Sequence, residues 1–415
     1  MKVALYYPWI YLKSGCERTI VELVRRSRHD WTIMTNRYDA DATFPELKSM
    51  NVLELPRISV RRSFLDVFRA GWRVLGQKLP LERQQLLVVF CEGLGDFVVF
   101  RNRNIPVLCV CFTPLRAAFD TAYQENYMEK HGNFAPRRIL LRLAAGGFKT
   151  LDRIAWSRFQ RVFAISDEVK ARVLRGGLCP EDKLEILHPG IDVSRMQPSG
   201  RYKKEFLIAG RIMWTKNIEL GISAFQDLLQ RRSDLRDFQL AIAGFVDEKS
   251  KLYIAKLREM SASTPQIRFI ESPSDNEMLE LYRNCYALVY TPFNEDWGLV
   301  PIEAMASERP VIAVSRGGPR ETIVHGKTGY LLPPNPRMFS NAMETLADNT
   351  ELVRTMGKCG REHARRFSWD VFCDRVDEYI SNLEAASTAG AQVEVVEQAN
   401  TSSNRGKKLD VAAVD

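Results

Sequence analysis

The chain has 415 residues, of which 45% are hydrophobic and 27% charged, and its formal net charge is +8. That is long enough for two domains with cores of their own, and the balance is that of a globular protein. No run approaches the ~20 apolar residues of a membrane-spanning helix, and the opening MKVALYYPWIY lacks the long apolar region and small-residue cleavage site of a secretory leader, so a cytoplasmic protein is expected.

In chain order, Lys2 to Tyr7 reads as an opening strand. A glycine turn follows at Ser14-Gly15, then a helix with Ile20, Leu23 and Val24 at helical spacing. Asp30 to Thr35 and Val52 to Leu55 are short strands. Leu86 to Glu92, Pro106 to Phe112 and Arg161 to Ser166 are nearly all apolar, as strands of a parallel sheet covered on both faces should be. Lys183 to Asp192 closes this half, and the polar residues Ser194 to Lys204 make a linker. The alternation then restarts with strands at Glu205 to Arg211, Phe238 to Gly244, Ile267 to Ile270, Cys285 to Tyr290, Pro310 to Ser315 and Gly329 to Pro333. A helix at Asn217 to Gln230 shows Ile218, Ile222, Phe225 and Leu229 on one stripe, and Trp369 to Leu383 forms a last helix. The pattern predicts an α/β protein of two doubly wound, Rossmann-like domains, with ligands at the carboxyl ends of the strands. The boundaries expected are 1–197, 198–366, a helix at 367–385 crossing back to the first domain, and a tail at 386–415 too poor in periodic apolar residues to be ordered.

The positive charge is unevenly spread. Residues 57–85 carry seven Lys/Arg against two acids, and residues 137–161 carry seven against one. Phe64, Leu65, Phe68, Trp72 and Leu75 interleave with the first group, and Leu140, Leu141, Phe148, Leu151 and Trp156 with the second. Basic amphipathic helices of this kind suit an anionic membrane surface, although each could equally be an ordinary surface helix packed on its own domain. Nucleic acid is not expected, since no recognition motif accompanies the charge.

The stretch with the most chemistry is Tyr290 to Ala306. It reads as a strand end, a polar loop and a helix with Pro301 in its first turn. Glu295 and Glu303 bracket the turn, and the free backbone N–H groups around Gly298 and Leu299 favour an anion between them. Elsewhere, Asp39-Ala40-Asp41 is a lone DxD in a short loop, and His131, His325 and His363 form no cluster. The eight cysteines are scattered, mostly in apolar strands, so no metal is expected. No G-x4-G-K-[ST] or G-x-S-x-G occurs, which removes P-loop kinases and the common serine hydrolases.

Over roughly residues 2–385 the chain resembles the retaining glycosyltransferases of family 4, which have the GT-B fold. Ser14-Gly15-Cys16-Glu17-Arg18 is similar to the family's glycine-rich first loop, Phe163 to Ser166 to its AxS strand end, and His188 to Asp192 to its Pro-Gly turn. Gly210-Arg211 with Lys216 matches G-R-x4-K, and Glu295-x7-Glu303 matches the paired-glutamate signature. Gly317-Gly318-Pro319-Arg320-Glu321 and Gly326-Lys327-Thr328-Gly329 match the closing GGxxE and GxTG elements. The ordered set is far more specific than any one part.

The resemblance implies a metal-independent, retaining hexosyltransferase without cofactor, whose nucleotide-sugar donor sits on the second domain and whose acceptor sits on the first, across an interdomain cleft. Arg211 and Lys216 would neutralise the departing diphosphate, Glu295 would contact the transferred sugar, and Glu303 would hold the ribose hydroxyls. Gly15, Gly210, Ile270, Trp297, Gly298, Leu299 and Val300 complete the implied donor site. Phe112, Thr113 and Arg116 lie in a segment similar to the HTPxR element of mannosyltransferases that build surface polysaccharides and O-antigens, and are assigned to the acceptor. Phe112 stands where those enzymes commonly carry histidine and has no proton to exchange. Glu271 likewise stands where glycine is common, near the base pocket. The expected reaction moves mannose from GDP-mannose to a lipid-linked oligosaccharide at the inner membrane face. The alternatives are a UDP-sugar donor, a soluble acceptor, or a non-catalytic partner that binds sugar nucleotides.

Overall fold

A computed structural model describes residues 1–59, 64–121, 123–124, 135–246 and 250–385. The tail assigned to 386–415 lies outside the described residues, as do residues 60–63 of the first basic segment. The strands are β1 (Lys2–Tyr6), β2 (Trp9–Ile10), β3 (Asp30–Thr35), β4 (Arg37–Tyr38), β5 (Val52–Glu54), β6 (Leu86–Glu92), β7 (Val107–Thr113), β8 (Arg161–Ala164) and β9 (Leu184–Ile186). They continue with β10 (Glu205–Ala209), β11 (Gln239–Gly244), β12 (Ile267–Glu271), β13 (Ala287–Tyr290), β14 (Val311–Val314) and β15 (Gly329–Leu332).

Two sheets result. The first is seven-stranded in the order β5-β3-β1-β6-β7-β8-β9, and the second six-stranded in the order β12-β11-β10-β13-β14-β15. Every neighbouring pair in both runs parallel. Their near-continuous apolar strands are buried on both faces, which is why they read as unbroken hydrophobic runs rather than alternating ones. In each sheet the order reverses beside its first strand, between β1 and β6 and between β10 and β13. Such switch points open a crevice at the carboxyl ends of the strands. The loop carrying Gly15 follows β1, and the loop carrying Arg211 and Lys216 follows β10. The two-residue strands β2 and β4 pair on the flank of the first sheet.

The loop out of β10 needs its glycines. Gly210 has φ +120°, a backbone that side chains disfavour, and a Cβ on Gly244 would stand 1.6 Å from the Gly210 carbonyl oxygen. The two strand ends can therefore approach closely only as glycines.

Helix 369–385 leaves the second sheet and packs on the first. Phe372, Val376 and Ile380 are buried in one cluster with β1, β6 and the helix Gly15–Arg26. Each such side chain contributes roughly 1.5–3 kcal/mol of transfer free energy. Asp377 accepts hydrogen bonds from Ser27 Oγ (2.5 Å) and Arg28 N (2.9 Å), and Tyr379 stacks edge-on to Phe163 at 5.6 Å. The Met1 ammonium lies 3.4 Å from Glu384.

Candidate active site

The helix Leu299–Ala306 begins at Gly298, whose φ of +93° ends the loop after β13. A Cβ there would meet the Tyr290 hydroxyl at 3.0 Å and Glu295 Cγ at 3.4 Å, so the glycine lets the loop fold tightly over its own glutamate. Across the cleft, Leu299 Cδ1 lies 3.8 Å from where a Gly15 Cβ would be, and Val300 Cγ2 lies 3.9 Å from the same point at Gly210. The start of this helix thus meets both glycine loops, one from each domain.

Lys216 ends a short 3-10 turn, and its Nζ lies 2.5 Å from Glu295 Oε2. The pairing is fixed by the backbone: Thr291 Oγ1 donates to Lys216 O (2.9 Å), and Phe293 N donates to Thr215 O (3.1 Å). Burial works to raise the Glu295 carboxyl, but Lys216, Arg116 and a hydrogen bond from Tyr290 outweigh it and hold the group below its ordinary value. Glu295 is therefore ionised at neutral pH. Arg211 is exposed and has no ion pair among the described residues; its charge acts across the cleft on Glu17. Glu17 itself is buried in the first turn of the helix Gly15–Arg26, accepts a hydrogen bond from Ser14, and is pushed up to about 7, mainly by burial.

Glu303 is shifted the opposite way. It is raised, chiefly by burial, and its Oε2 accepts a hydrogen bond from Tyr282 Oη at 2.8 Å. Ile270 is partly buried near the end of β12, and the adjacent Glu271 pairs with Arg258.

The remaining assigned residues are engaged in holding the cleft together. Trp297 is buried, stacks face to face on His188 at 4.2 Å, and donates from its indole to Pro189 O at 3.0 Å. Phe112 is buried and stacks on Phe90 at 5.8 Å, in the core of the first domain. Thr113 Oγ1 accepts from Arg172 Nη1 at 2.6 Å. Arg116 pairs with Asp120 (2.8 Å) and donates to Asn294 O (3.0 Å). Of the three residues assigned to the acceptor, Phe112 and Thr113 thus contact side chains of the first domain, and Arg116 also reaches the loop that carries Glu295.

Arg172 and Asp296 carry no signal in the sequence, and the contacts of Ser166 and Glu321 are not visible in their motifs. Arg172, fully buried, pairs with Asp120 at 3.1 Å and with Asp296 at 2.5 Å. Ser166 donates to Asp296 O as well as capping its own helix. Glu321, from the GGxxE element, accepts from the N–H groups of Asp167 (2.9 Å) and Glu168 (3.3 Å) and lies 3.1 Å from His188. A carboxylate at that helix N-terminus is favoured by the free N–H groups there. The two glycines of the same element admit the Glu295 loop, since a Cβ on Gly317 would stand 2.1 Å from Glu295 O and one on Gly318 2.0 Å from Trp297 O. Asp41 pairs with Lys48 (2.7 Å) and Asp39 with Arg37 (3.8 Å), so both DxD carboxylates have local cations. Among the described residues no group of three or more His, Cys, Asp or Glu side chains is arranged to hold a metal.

Residues 195–363 match the family model described as glycosyl transferases group 1. The chain is 35% identical over 187 residues to the alpha-1,3/1,6-mannosyltransferase ALG2 of Mus musculus, covering 43% of this chain and 45% of that protein. It is 32% identical over 221 residues to the Homo sapiens protein of the same name, covering 48% of this chain and 52% of that one. The chain thus spans about half the length of these two curated relatives. With alg2 of Schizosaccharomyces pombe the identity is 26% over 432 residues, or 92% of this chain and 80% of that protein. Among solved structures, Anabaena Alr3699/HepE in complex with UDP and glucose superposes with a TM-score of 0.70 at 16% identity, covering 92% of this chain and 100% of that chain. Sucrose-phosphate synthase from Thermosynechococcus elongatus gives 0.71 at 18%, covering 93% and 100%. The fold is that of the GT-B glycosyltransferases, and in sequence the chain resembles mannosyltransferases.

Proposed function

We propose that this protein is a retaining glycosyltransferase that moves mannose from GDP-mannose to a lipid-linked oligosaccharide, without a metal, at the cytoplasmic face of an anionic membrane. The observation that carries the reading is the ion pair of Lys216 with Glu295 (2.5 Å) at the mouth of a helix that meets both glycine loops. Sugar transfer puts negative charge on a departing diphosphate and partial positive charge on the anomeric carbon. Lys216 and the exposed Arg211 are cations for the first, and the ionised Glu295 is a carboxylate for the second. Glu303, with no cation in contact among the described residues, suits neutral hydroxyls. Mannose is favoured by the names of the curated relatives, while the HepE complex with UDP and glucose motivates a UDP-sugar as the second reading.

Incubation with GDP-mannose, UDP-glucose and other nucleotide sugars, with octyl glycosides as acceptors, tests this by mass analysis of the products. Hexose addition from GDP-mannose, with α stereochemistry kept, is the expected result. Turnover of UDP-sugars alone overturns the mannose reading, and turnover of none overturns the enzymatic one.

The membrane reading is supported by the helix Phe64–Gly76. Ala70 and Val74 face inward, while Phe68 (57% exposed) and Trp72 (60%) stack edge-on at 6.1 Å in solvent, flanked by Arg69 and Arg73. The helix Ala135–Trp156, with Leu151 and Ile154 exposed, packs on the same segment, Gly95–Phe100. Two basic helices thus pack on one segment, each with large apolar side chains exposed. No helix among the described residues is long and apolar enough to cross a membrane. Phe68→Ser with Trp72→Ser should abolish flotation with phosphatidylglycerol vesicles at low salt and leave the melting temperature within about 2 °C, since exposed apolar side chains add little stability. Wild-type protein that stays unbound overturns the membrane assignment.

A further inference from the structure

We propose that Tyr282 positions Glu303 for recognition of vicinal ribose hydroxyls, and thereby sets a preference for ribonucleotides over nucleotides that lack those hydroxyls. The inference rests on the proposed function and extends it to a residue outside every motif of the chain. Tyr282 is 4% exposed and sits on the helix Asp275–Asn284. That helix is fixed at its start by a reciprocal capping box between Ser274 and Glu277 and at its end by Cys285 N bonding to Leu281 O. The phenol therefore reaches Glu303 from a rigid support, at 2.8 Å.

Only one Glu303 oxygen is used in this way. Oε1 has no hydrogen bond among the described residues, and no cation among them is in ion-pair contact with the carboxyl, whereas Glu295 has Lys216 at 2.5 Å. Arg18 acts on Glu303 through its field, and Asp275 opposes it. A carboxyl group with one oxygen pinned and the other free has its remaining lone pairs fixed in direction. It accepts from neighbouring hydroxyls and repels the diphosphate, which directs a nucleotide's sugar to Glu303 and its phosphates to Arg211 and Lys216. Without the phenol the carboxyl can turn about its last side-chain bond, and the two-point contact is lost. Tyr282 touches no substrate in this arrangement, so it acts through Glu303.

The test is calorimetric binding of GDP and 2′,3′-dideoxy-GDP, and of the corresponding uridine pair, to wild type and Tyr282→Phe. Wild type should favour the ribonucleotide by about tenfold or more, the usual effect of a hydrogen bond to a charged group. In Tyr282→Phe that ratio should fall toward 1 with the dideoxynucleotide affinity unchanged, which also shows that the variant is folded. In turnover, the KM of the sugar donor should rise and kcat stay within about threefold. Adding Tyr282→Phe to Glu303→Gln should weaken binding no further than Glu303→Gln alone. A ratio in Tyr282→Phe equal to wild type, or additive losses in the double variant, overturns the proposal. A wild type that transfers sugar but does not distinguish the two nucleotides overturns it while the proposed function stands. A wild type that binds no nucleotide and turns over no sugar donor overturns both.

Discussion

Lys216→Ala should lower kcat/KM for sugar transfer by about 10³-fold, about 4 kcal/mol of transition-state stabilisation, with the protein still folded. Two losses combine. The departing diphosphate loses a fixed cation, the kind of contact whose removal typically costs 10²–10³ in rate. Glu295 also loses the first of the groups that offset its burial, so its carboxyl rises and the acidic limb of the pH–rate profile moves up with it. Lys216→Arg keeps the charge but replaces a compact ammonium with a planar fork, so it should recover only part of the rate. Initial-rate kinetics across pH, beside a thermal melt, measure these effects. Activity within tenfold of wild type in Lys216→Ala would show that the charge on the diphosphate is met elsewhere.

The largest effect on stability is expected at Asp120. This carboxylate is 4% exposed and pairs with Arg116 at 2.8 Å and with the fully buried Arg172 at 3.1 Å. Removing one partner of a buried pair leaves an uncompensated charge, so Asp120→Ala should lower the unfolding free energy by about 3–5 kcal/mol, read from the midpoint of urea denaturation. Burial pushes the Asp120 carboxyl up, but Arg172 and Arg116 beside it reverse this and hold it below its ordinary value. Because the folded state has the lower pKa, its contribution to stability is full above the unfolded value of about 3.9 and is lost as pH falls through the folded value. Asp120→Asn should therefore flatten the acid side of the stability curve. An unchanged midpoint in Asp120→Ala would mean that Asp296 and Glu168 suffice to hold Arg172.

Asp120 also shows where sequence reading stops. The strands were legible because parallel strands covered on both faces must be apolar throughout, and Leu86–Glu92 and Glu205–Ala209 lie within a residue or two of the runs that predict them. Glu295 and Glu303 were legible because their spacing follows from a strand, a turn and a helix that are contiguous in the chain, and Lys216 through the resemblance of Gly210-Arg211-x4-Lys216 to a family element. The network of Asp120, Arg172 and Asp296 was not, since Arg172 and Asp296 stand 124 positions apart and nothing local requires them to meet. The same holds for Tyr282 against Glu303 and for Glu321 at the N-terminus of the helix Asp167–Arg175. Phe112, Thr113 and Arg116 were legible as a segment but not in orientation. Their partners, Phe90, Arg172 and Asn294, come from other elements of the chain. The strands Trp9–Ile10 and Arg37–Tyr38 are too short for any period to show.

The return of helix 369–385 to the first sheet governs how the chain is made. A ribosome delivers β1 to β9 first, yet the surface that Phe372, Val376 and Ile380 cover is completed only by residues made after the whole second sheet. The first domain therefore waits with an apolar face open during synthesis, a stage at which chaperones matter most. A first domain expressed alone, cut near residue 197, keeps that face open permanently. With Met1 beside Glu384, a circular permutant that joins residue 385 to Met1 in a chain cut back to residues 1–385, and opens the polar stretch near residue 198, would deliver each domain as one continuous piece.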